Sequence, residues 1–468
     1  MPFARRAAHK AVHSPPAEAR AGDLAPIARA DRSLAPDIAR GLLLMFIAIA
    51  NTPGFHMGLT GPKPKPLVVD RIVDGIETVF VVDRSRPMFA VLFGFGIAMM
   101  ASRLAARGVD QRGVRRVLRR RSWWLVLFGL VHATLLWRGD ILAPYGVTGL
   151  VALWLVHRPD AVLRRWFWAS LVWSSIAFPG IQWLDGGSAP STTWKPLSYL
   201  EFMREGVITS GLMQFLSLGT FLLLPMTIVG IWLHRSGWLT RPHEHVAELR
   251  TVFVTALVVN VVLSLPDVLM VTRVWDLSRT GESLVYGLHL LLGAMMGAGY
   301  VCGFALLAVR WSHRGRTGLP GVLAAVGERS MTAYLLQSVL FFSVLTGWGL
   351  GLGTWTDAAW DTVIAVVVWS VIAVGMVALD RRGVRGPAEV VLRALTYRGE
   401  RRRLARAAAP EAAAPQAEVA GPLSPGDQPW ISAASSALTV ESVCLPPERE
   451  AASWAPEASG ETGTTASR

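Results

Sequence analysis

The sequence predicts an all-α fold: a polytopic helical membrane protein of about ten transmembrane helices with both termini cytoplasmic. Three observations carry this reading. The 468 residues are 52% hydrophobic and only 17% charged, with a mean hydropathy of +0.40, too apolar for a soluble chain of this length. Ten apolar stretches approach the roughly 20 residues a helix needs to cross about 30 Å of hydrocarbon. Basic residues concentrate in every second loop between those stretches.

The stretches run over 38–58, 87–104, 122–138, 141–157, 162–183, 211–234, 251–272, 284–309, 328–348 and 358–379. The third and fourth are short. Arg138-Gly139-Asp140 between them is either the outer turn of a crossing pair or the tip of a hairpin that does not cross. The loops assigned to the cytoplasm hold eighteen arginines, eight of them between Arg103 and Arg121, against ten basic residues in the outer loops. Five of those ten, Lys63, Lys65, Arg71, Arg84 and Arg86, share one loop with Asp70, Asp74, Glu77 and Asp83. Removing the short pair preserves the parity, so the orientation does not depend on it. Residues 1–36 read as a basic disordered tail without the compact apolar stretch of a cleaved signal peptide. The transmembrane domain takes 37–380, a basic juxtamembrane segment suited to anionic lipid takes 381–406, and an Ala/Pro/Ser/Glu-rich disordered tail takes 407–468.

The formal charge of +13 is spread as short arginine runs between apolar stretches, so the expected partner is the lipid bilayer and not nucleic acid. Two cysteines, Cys302 and Cys444, are too few for a disulfide framework or a thiolate metal site. His243 and His245 flank Glu244 without further ligands, and no metal is expected there. The glycines of LFGFG, Gly94 and Gly96, follow no strand and read as helix-packing positions.

Polar groups inside a span are costly and are therefore the first candidates for function. Asn51 and His56 sit near the outer end of the first span. His132 lies ten residues into the third, roughly 15 Å deep at about 1.5 Å per residue. It is either a packed hydrogen-bonding residue or a proton carrier or acyl-transfer base, since a reference pKa near 6.5 suits both tasks. Asp140 is the nearest carboxylate able to orient it, or else a cap for the next helix or a partner for Arg138. In the ninth span Ser330, Tyr334, Gln337 and Ser338 share one face and form either interhelical hydrogen bonds or a cavity wall. Asn51, His56, Tyr145, Tyr334, Gln337 and Ser338 are the candidate substrate-binding residues.

The strings APDIARGLLLMFIAIAN, MFAVLFGFGIA, LFGLVHATLLWRGDILAPYGVTG, GERSMTAYLLQS and RGPAEVVLRALTY, in that order and spacing, resemble the domain-of-unknown-function 418 (YeiB-like) family over about residues 33–400. That family is similar in architecture to the ten-span membrane acyltransferases. The resemblance implies acyl transfer from a cytoplasmic donor to an envelope acceptor, with no bound cofactor, acyl-CoA as the donor substrate and a glycan or small molecule as the acceptor. It makes His132 the base or transient acyl carrier and Asp140 the group that orients it. Arg115, Arg116, Arg119, Arg120 and Arg121 would hold the phosphates of coenzyme A. The acyltransferases usually carry a histidine in the first span, where this chain has Asn51, with His56 about a turn later. The LDxxRG string of the family reads Pro36-Asp37-Ile38-Ala39-Arg40-Gly41 here. Two rivals stay open: a transporter or exporter of a small molecule with His132 relaying protons, and a noncatalytic membrane scaffold. Against transport stands the absence, in the sequence, of an inverted repeat and of paired broken helices. The oligomeric state is not set by the sequence.

Overall fold

The computed structural model describes residues 34–185, 193–194, 197–207 and 222–408. The expected tails, apart from the residues next to the bundle, and the first part of the sixth stretch lie outside the described residues. Within them the chain is helical, and the one β feature is an isolated bridge between Pro62 and Thr193. In lipid the backbone can satisfy its polar groups only along a helix or in a closed barrel, so apolar stretches of this length become helices.

α1 (Ala35–Asn51) opens with Pro36 and Asp37, a residue with no N–H to leave unpaired and an acid at the positive end of the helix dipole. α2 (Val68–Phe80) and α3 (Ser85–Ala106) follow, then α4 (Gln111–Leu135), where the Asp110 carboxylate accepts from the Gly113 N–H at 3.0 Å. Next come α5 (Leu142–Leu155), α6 (Asp160–Asp185) and α7 (Leu223–Arg235). α8 (Val246–Leu263), α9 (Leu265–Val271) and α10 (Arg279–Arg310) lead to α11 (Gly318–Glu328), α12 (Ser330–Leu345), α13 (Ala358–Arg381) and α14 (Pro387–Ala408). Among the described residues, five segments are long and apolar enough to cross a membrane: Ala35–Phe55, Val68–Ala106, Val246–Leu263, Arg279–Arg310 and Ala358–Arg381. α5, α11 and α12 are apolar but shorter. Large apolar side chains such as Trp168, Trp173 and Ile176 on α6, Val258 and Val262 on α8, and Val367, Val371 and Val374 on α13 are exposed. Such belts belong against hydrocarbon, and the chain is built as a membrane protein.

The structure adds breaks that hydropathy did not reveal. Residues 318–327, assigned from sequence to an inner loop, form with Glu328 the buried apolar helix α11 packed along α1. Its 11 residues are too few to register as a span, and it is parted from α12 at Arg329. Val68–Ala106 is likewise two helices joined through Val81–Arg84, and Pro266 begins α9 immediately after α8 ends. α2 turns Val68, Ile72 and Ile76 outward and Asp70 and Thr78 inward, the reverse of a helix on a soluble protein and the arrangement lipid favours.

α3 and α7 cross at close range. A Cβ on Gly94 would lie 2.0 Å from the Thr227 carbonyl oxygen, and one on Gly230 would lie 2.0 Å from that of Val91. Gly94→Val is expected to lower stability by about 1–3 kcal/mol or more. Thermal unfolding of the purified protein in detergent reads this, and an unchanged midpoint would contradict the crossing.

Candidate functional site

The turn Leu136–Ile141 between α4 and α5 brings a carboxylate back onto the helix it has just left. Gly129 makes room for this, because a Cβ there would meet Asp140 Oδ2 at 2.4 Å and the Ala143 nitrogen at 2.2 Å. Asp140 accepts from the Ala143 N–H at 2.8 Å through Oδ2, which caps α5, and from His132 Nδ1 at 2.8 Å through Oδ1. Tyr334 of α12 completes the group. Its hydroxyl donates to Asp140 Oδ1 and accepts from the Ile141 N–H, each at 3.3 Å, and its ring centroid is 5.1 Å from that of His132. His132 and Asp140 are 3% and 4% exposed, so the couple is buried. With Nδ1–H donated to the carboxylate, Nε2 carries the lone pair, and that atom is buried with no hydrogen-bond partner among the described residues. A carboxylate-oriented imidazole with an unused Nε2 has the makings of a general base.

Tyr334 is also a wall of a cavity of about 460 Å³. The inner end is apolar and aromatic, with Leu44, Phe89, Phe93, Tyr145 and Tyr334. At the other end stand Arg40, Arg103, Arg107 and Arg121, joined by Arg329, Arg385 and Arg393, against the two acids Glu328 and Glu389. Several of these cations have work elsewhere. Arg329 donates to Asp380 at 3.0 Å and to the Val384 carbonyl, and Arg40 pairs with Asp37 at 3.3 Å. Arg121 has no carboxylate partner among the described residues and lies against the Phe93 ring, 5.8 Å from its centroid. Burial pushes its guanidinium down to about 10, with Arg40 adding to the effect and Tyr397 opposing it, and it stays protonated at neutral pH. A cation held in a poorly solvated wall without a counter-ion attracts an anion from solution. α14 closes this end. Glu389 accepts from the N–H groups of Met331 (2.7 Å) and Thr332 (3.1 Å), the first turn of α12, and so holds the basic helix over the mouth.

Residues 233–399, from the end of α7 into α14, match the family described as "Protein of unknown function (DUF418)". The chain is similar to that family over this region. It is 28% identical over 402 residues to "Uncharacterized protein YeiB" of Escherichia coli (strain K12), covering 79% of this chain and 97% of the relative. It is 24% identical over 397 residues to "Uncharacterized protein YxaH" of Bacillus subtilis (strain 168), covering 77% and 93%. The matched region supplies Arg329, Tyr334, Arg385, Glu389 and Arg393 to the cavity, whereas His132, Asp140, Arg40 and Arg121 precede it. The likeness to both relatives extends well beyond the region, over most of each protein.

The other candidate residues fall in several places. Tyr145 lines the cavity and donates to the Arg86 carbonyl at 2.5 Å. Gln337, behind the wall, donates to the Leu44 carbonyl at 2.9 Å, and its Oε1 is buried without a hydrogen-bond partner among the described residues. Ser338 donates to the Tyr334 carbonyl at 3.5 Å. Asn51 ends α1 away from the cavity. His56 forms a separate couple, its Nε2 3.1 Å from both Asp361 Oδ1 of α13 and Thr356 Oγ1. Of the five α4 arginines expected to hold coenzyme A, Arg121 alone lines the cavity. Arg115, Arg119 and Arg120 are on the exposed side, and Arg116 sits 3.8 Å from Asp110. The mouth arginines other than Arg121 come from α1, from α3 and the turn after it, from the α11–α12 junction, and from α14 and the turn before it, separated by up to 353 positions between Arg40 and Arg393, so no sequence spacing announces them.

Proposed function

We propose that this DUF418-like protein is a membrane-bound acyltransferase whose donor is an acyl thioester bearing phosphates, acyl-CoA in the first instance. The observation that carries this is the continuity of one site: a cation-lined mouth, an apolar interior, and an inner wall hydrogen-bonded to a buried histidine–aspartate couple. Phosphates of the donor would meet Arg121 and the other mouth arginines, and the acyl chain would take the aromatic end. His132 Nε2 would remove the proton of an acceptor hydroxyl as its oxygen attacks the thioester carbonyl. The C–S bond breaks, and the thiolate leaves with that proton. Asp140 keeps the imidazole in the tautomer this requires. Because Tyr334 stands between His132 and the cavity, its ring turns aside when the acceptor enters. Tyr334→Phe, which loses only the hydroxyl held by Asp140, is expected to lower the rate less than Tyr334→Ala, which opens the wall and disorders the donor. Steady-state release of coenzyme A thiol compares the two, and equal losses would argue against this gate.

We place the arginine mouth in the cytoplasm, with ten crossings, both termini inside and the inner membrane as the location. Supporting this reading, the mouth residues Arg103, Arg107, Arg121 and Arg329 all lie in segments that the arginine count assigns to the inside. In a Cys444→Ser background, a cysteine at Arg314 should be protected from an impermeant thiol reagent in intact cells and one at Thr280 labelled; the reverse pattern would invert the topology. Transport is the second reading, favoured by the broken helices α2–α3 and α8–α9.

A further inference from the structure

The break between α2 and α3 holds charges that the cavity and the His132 couple do not use. Arg84, counted from sequence as an outer-loop cation, is fully buried. Its guanidinium donates to the Val82 carbonyl (2.5 Å), Asn260 Oδ1 (3.0 Å) and Ser264 Oγ (3.3 Å), and lies 3.0 Å from His289 Nε2. Asp83 has a left-handed backbone, φ +56°, a strain non-glycine residues rarely carry unless the surroundings enforce it. It pairs with Arg86 at 3.2 Å, accepts from the Tyr286 hydroxyl at 3.1 Å, and lies 3.5 Å from His289 Nε2. The other ring nitrogen of His289, Nδ1, meets the Asp267 carboxylate. One histidine of α10 thus stands between two carboxylates, each beside a different helix break. Asp83 is in the turn between α2 and α3, and Asp267 is in the first turn of α9 just after α8 ends.

The depth of this cluster follows from α10, whose 32 residues span about 48 Å at roughly 1.5 Å per residue. The Asp83 carbonyl abuts Gly293 and the Arg84 carbonyl abuts Gly297, both close to the middle of that helix. A charged cluster at this level, enclosed by broken helices, is costly and points to function.

We propose that this cluster is a proton-binding centre, in which His289 takes up and releases one proton between Asp83 and Asp267. A neutral imidazole has one N–H and can donate to one carboxylate. Donating to both requires a second proton, and losing it frees one of the two acids. The fixed charges already balance, Arg84 and Arg86 against Asp83 and Asp267, which leaves the proton as the variable charge. The groups around His289 are Asp83 and Arg84 from the turn before α3, with Arg86 paired to Asp83, Asn260 and Ser264 at the end of α8 through Arg84, and Asp267 from α9. Tyr286 of α10 stacks on the His289 ring, and α6 approaches with the uncharged Phe178 and Pro179, which touch Tyr286 and Gly287. Since the two acids sit on separate broken segments, proton occupancy decides whether those segments are tied together through His289. This inference does not depend on acyl transfer.

The test uses the full chain in lipid nanodiscs with ring-¹⁵N histidine, followed by NMR over about pH 5–9, with the His289 signals identified by their loss in His289→Asn. The expected result is a change from two protonated ring nitrogens to one within that range. Asp267→Asn should move its midpoint down by at least one pH unit, a tenfold or larger loss of proton affinity. Should His289→Asn not fold, the signal displaced in both Asp267→Asn and Asp83→Asn identifies the residue. A His289 that holds one protonation state throughout, or a midpoint that neither aspartate variant moves, would make the cluster a fixed structural ion network and overturn the proposal.

Discussion

His132→Asn is expected to lower acyl transfer by about 10²–10⁴-fold, the contribution a positioned general base makes. The asparagine keeps the side chain short and polar but cannot take a proton from an acceptor hydroxyl. Asp140→Asn tests the same couple from the other side. An amide nitrogen turned toward Nδ1 donates where the carboxylate accepted, which places the lone pair on Nδ1 and the hydrogen on Nε2, the wrong tautomer for the base. Both rates should therefore fall, with the double variant little worse than the worse single one, because the two residues act as a unit. Removing one member of a buried pair also destabilises a protein by about 3–5 kcal/mol, so the assay is read together with gel filtration and thermal unfolding. Rates that fall only in proportion to folded protein would assign the couple a structural role.

Donor binding carries the second large effect. Arg121→Ala should weaken binding of acyl-CoA by about 10–100-fold, the loss of one or two charge-assisted hydrogen bonds to phosphate at about 1.5–3 kcal/mol. Arg120→Ala should leave it unchanged, since Arg120 is on the exposed side of the same helix. Titration calorimetry in detergent distinguishes the two variants. Raising the ionic strength should weaken binding to the unaltered protein and have less effect on Arg121→Ala, because part of the screened attraction is already gone. Equal effects of Arg120→Ala and Arg121→Ala would mean that the cations of α4 act through diffuse charge and that the cavity mouth is not the phosphate site.

The helical membrane class was legible because it rests on local composition: apolar stretches of the right length separated by arginine. His132 and Asp140 were legible because only eight positions separate them and polar groups within a span draw attention. Tyr334 could be picked out as part of a polar stripe, but its hydrogen bond to Asp140 joins residues 194 positions apart. Of the mouth arginines, Arg103, Arg107 and Arg329 entered the sequence reading as topology and Arg121 also as a coenzyme A contact; that seven of them converge is a property of tertiary packing. α11 escaped detection for another reason, since 11 apolar residues are too few for a span and buried half-helices have no hydropathy signature of their own. Arg84 looked like a loop cation because hydropathy assigns a charge to water unless something pays for its burial. Its partners Asn260, Ser264 and His289 lie 176 or more positions away and cannot be seen from the local string.

Acyl transfer requires that a thioester donor react at the His132 couple. The direct measurement is release of coenzyme A thiol from acyl-CoA by full-length protein in proteoliposomes supplied with a bacterial envelope lipid and glycan extract as acceptor. Label from the acyl group is followed into that extract. Acyl transfer at this couple gives thiol release and labelled acceptor in equal amounts, both lost in His132→Asn while acyl-CoA still binds. Acyl-CoA consumption that is the same in the variant, or none at all in vesicles that instead accumulate a solute from the extract, would contradict it.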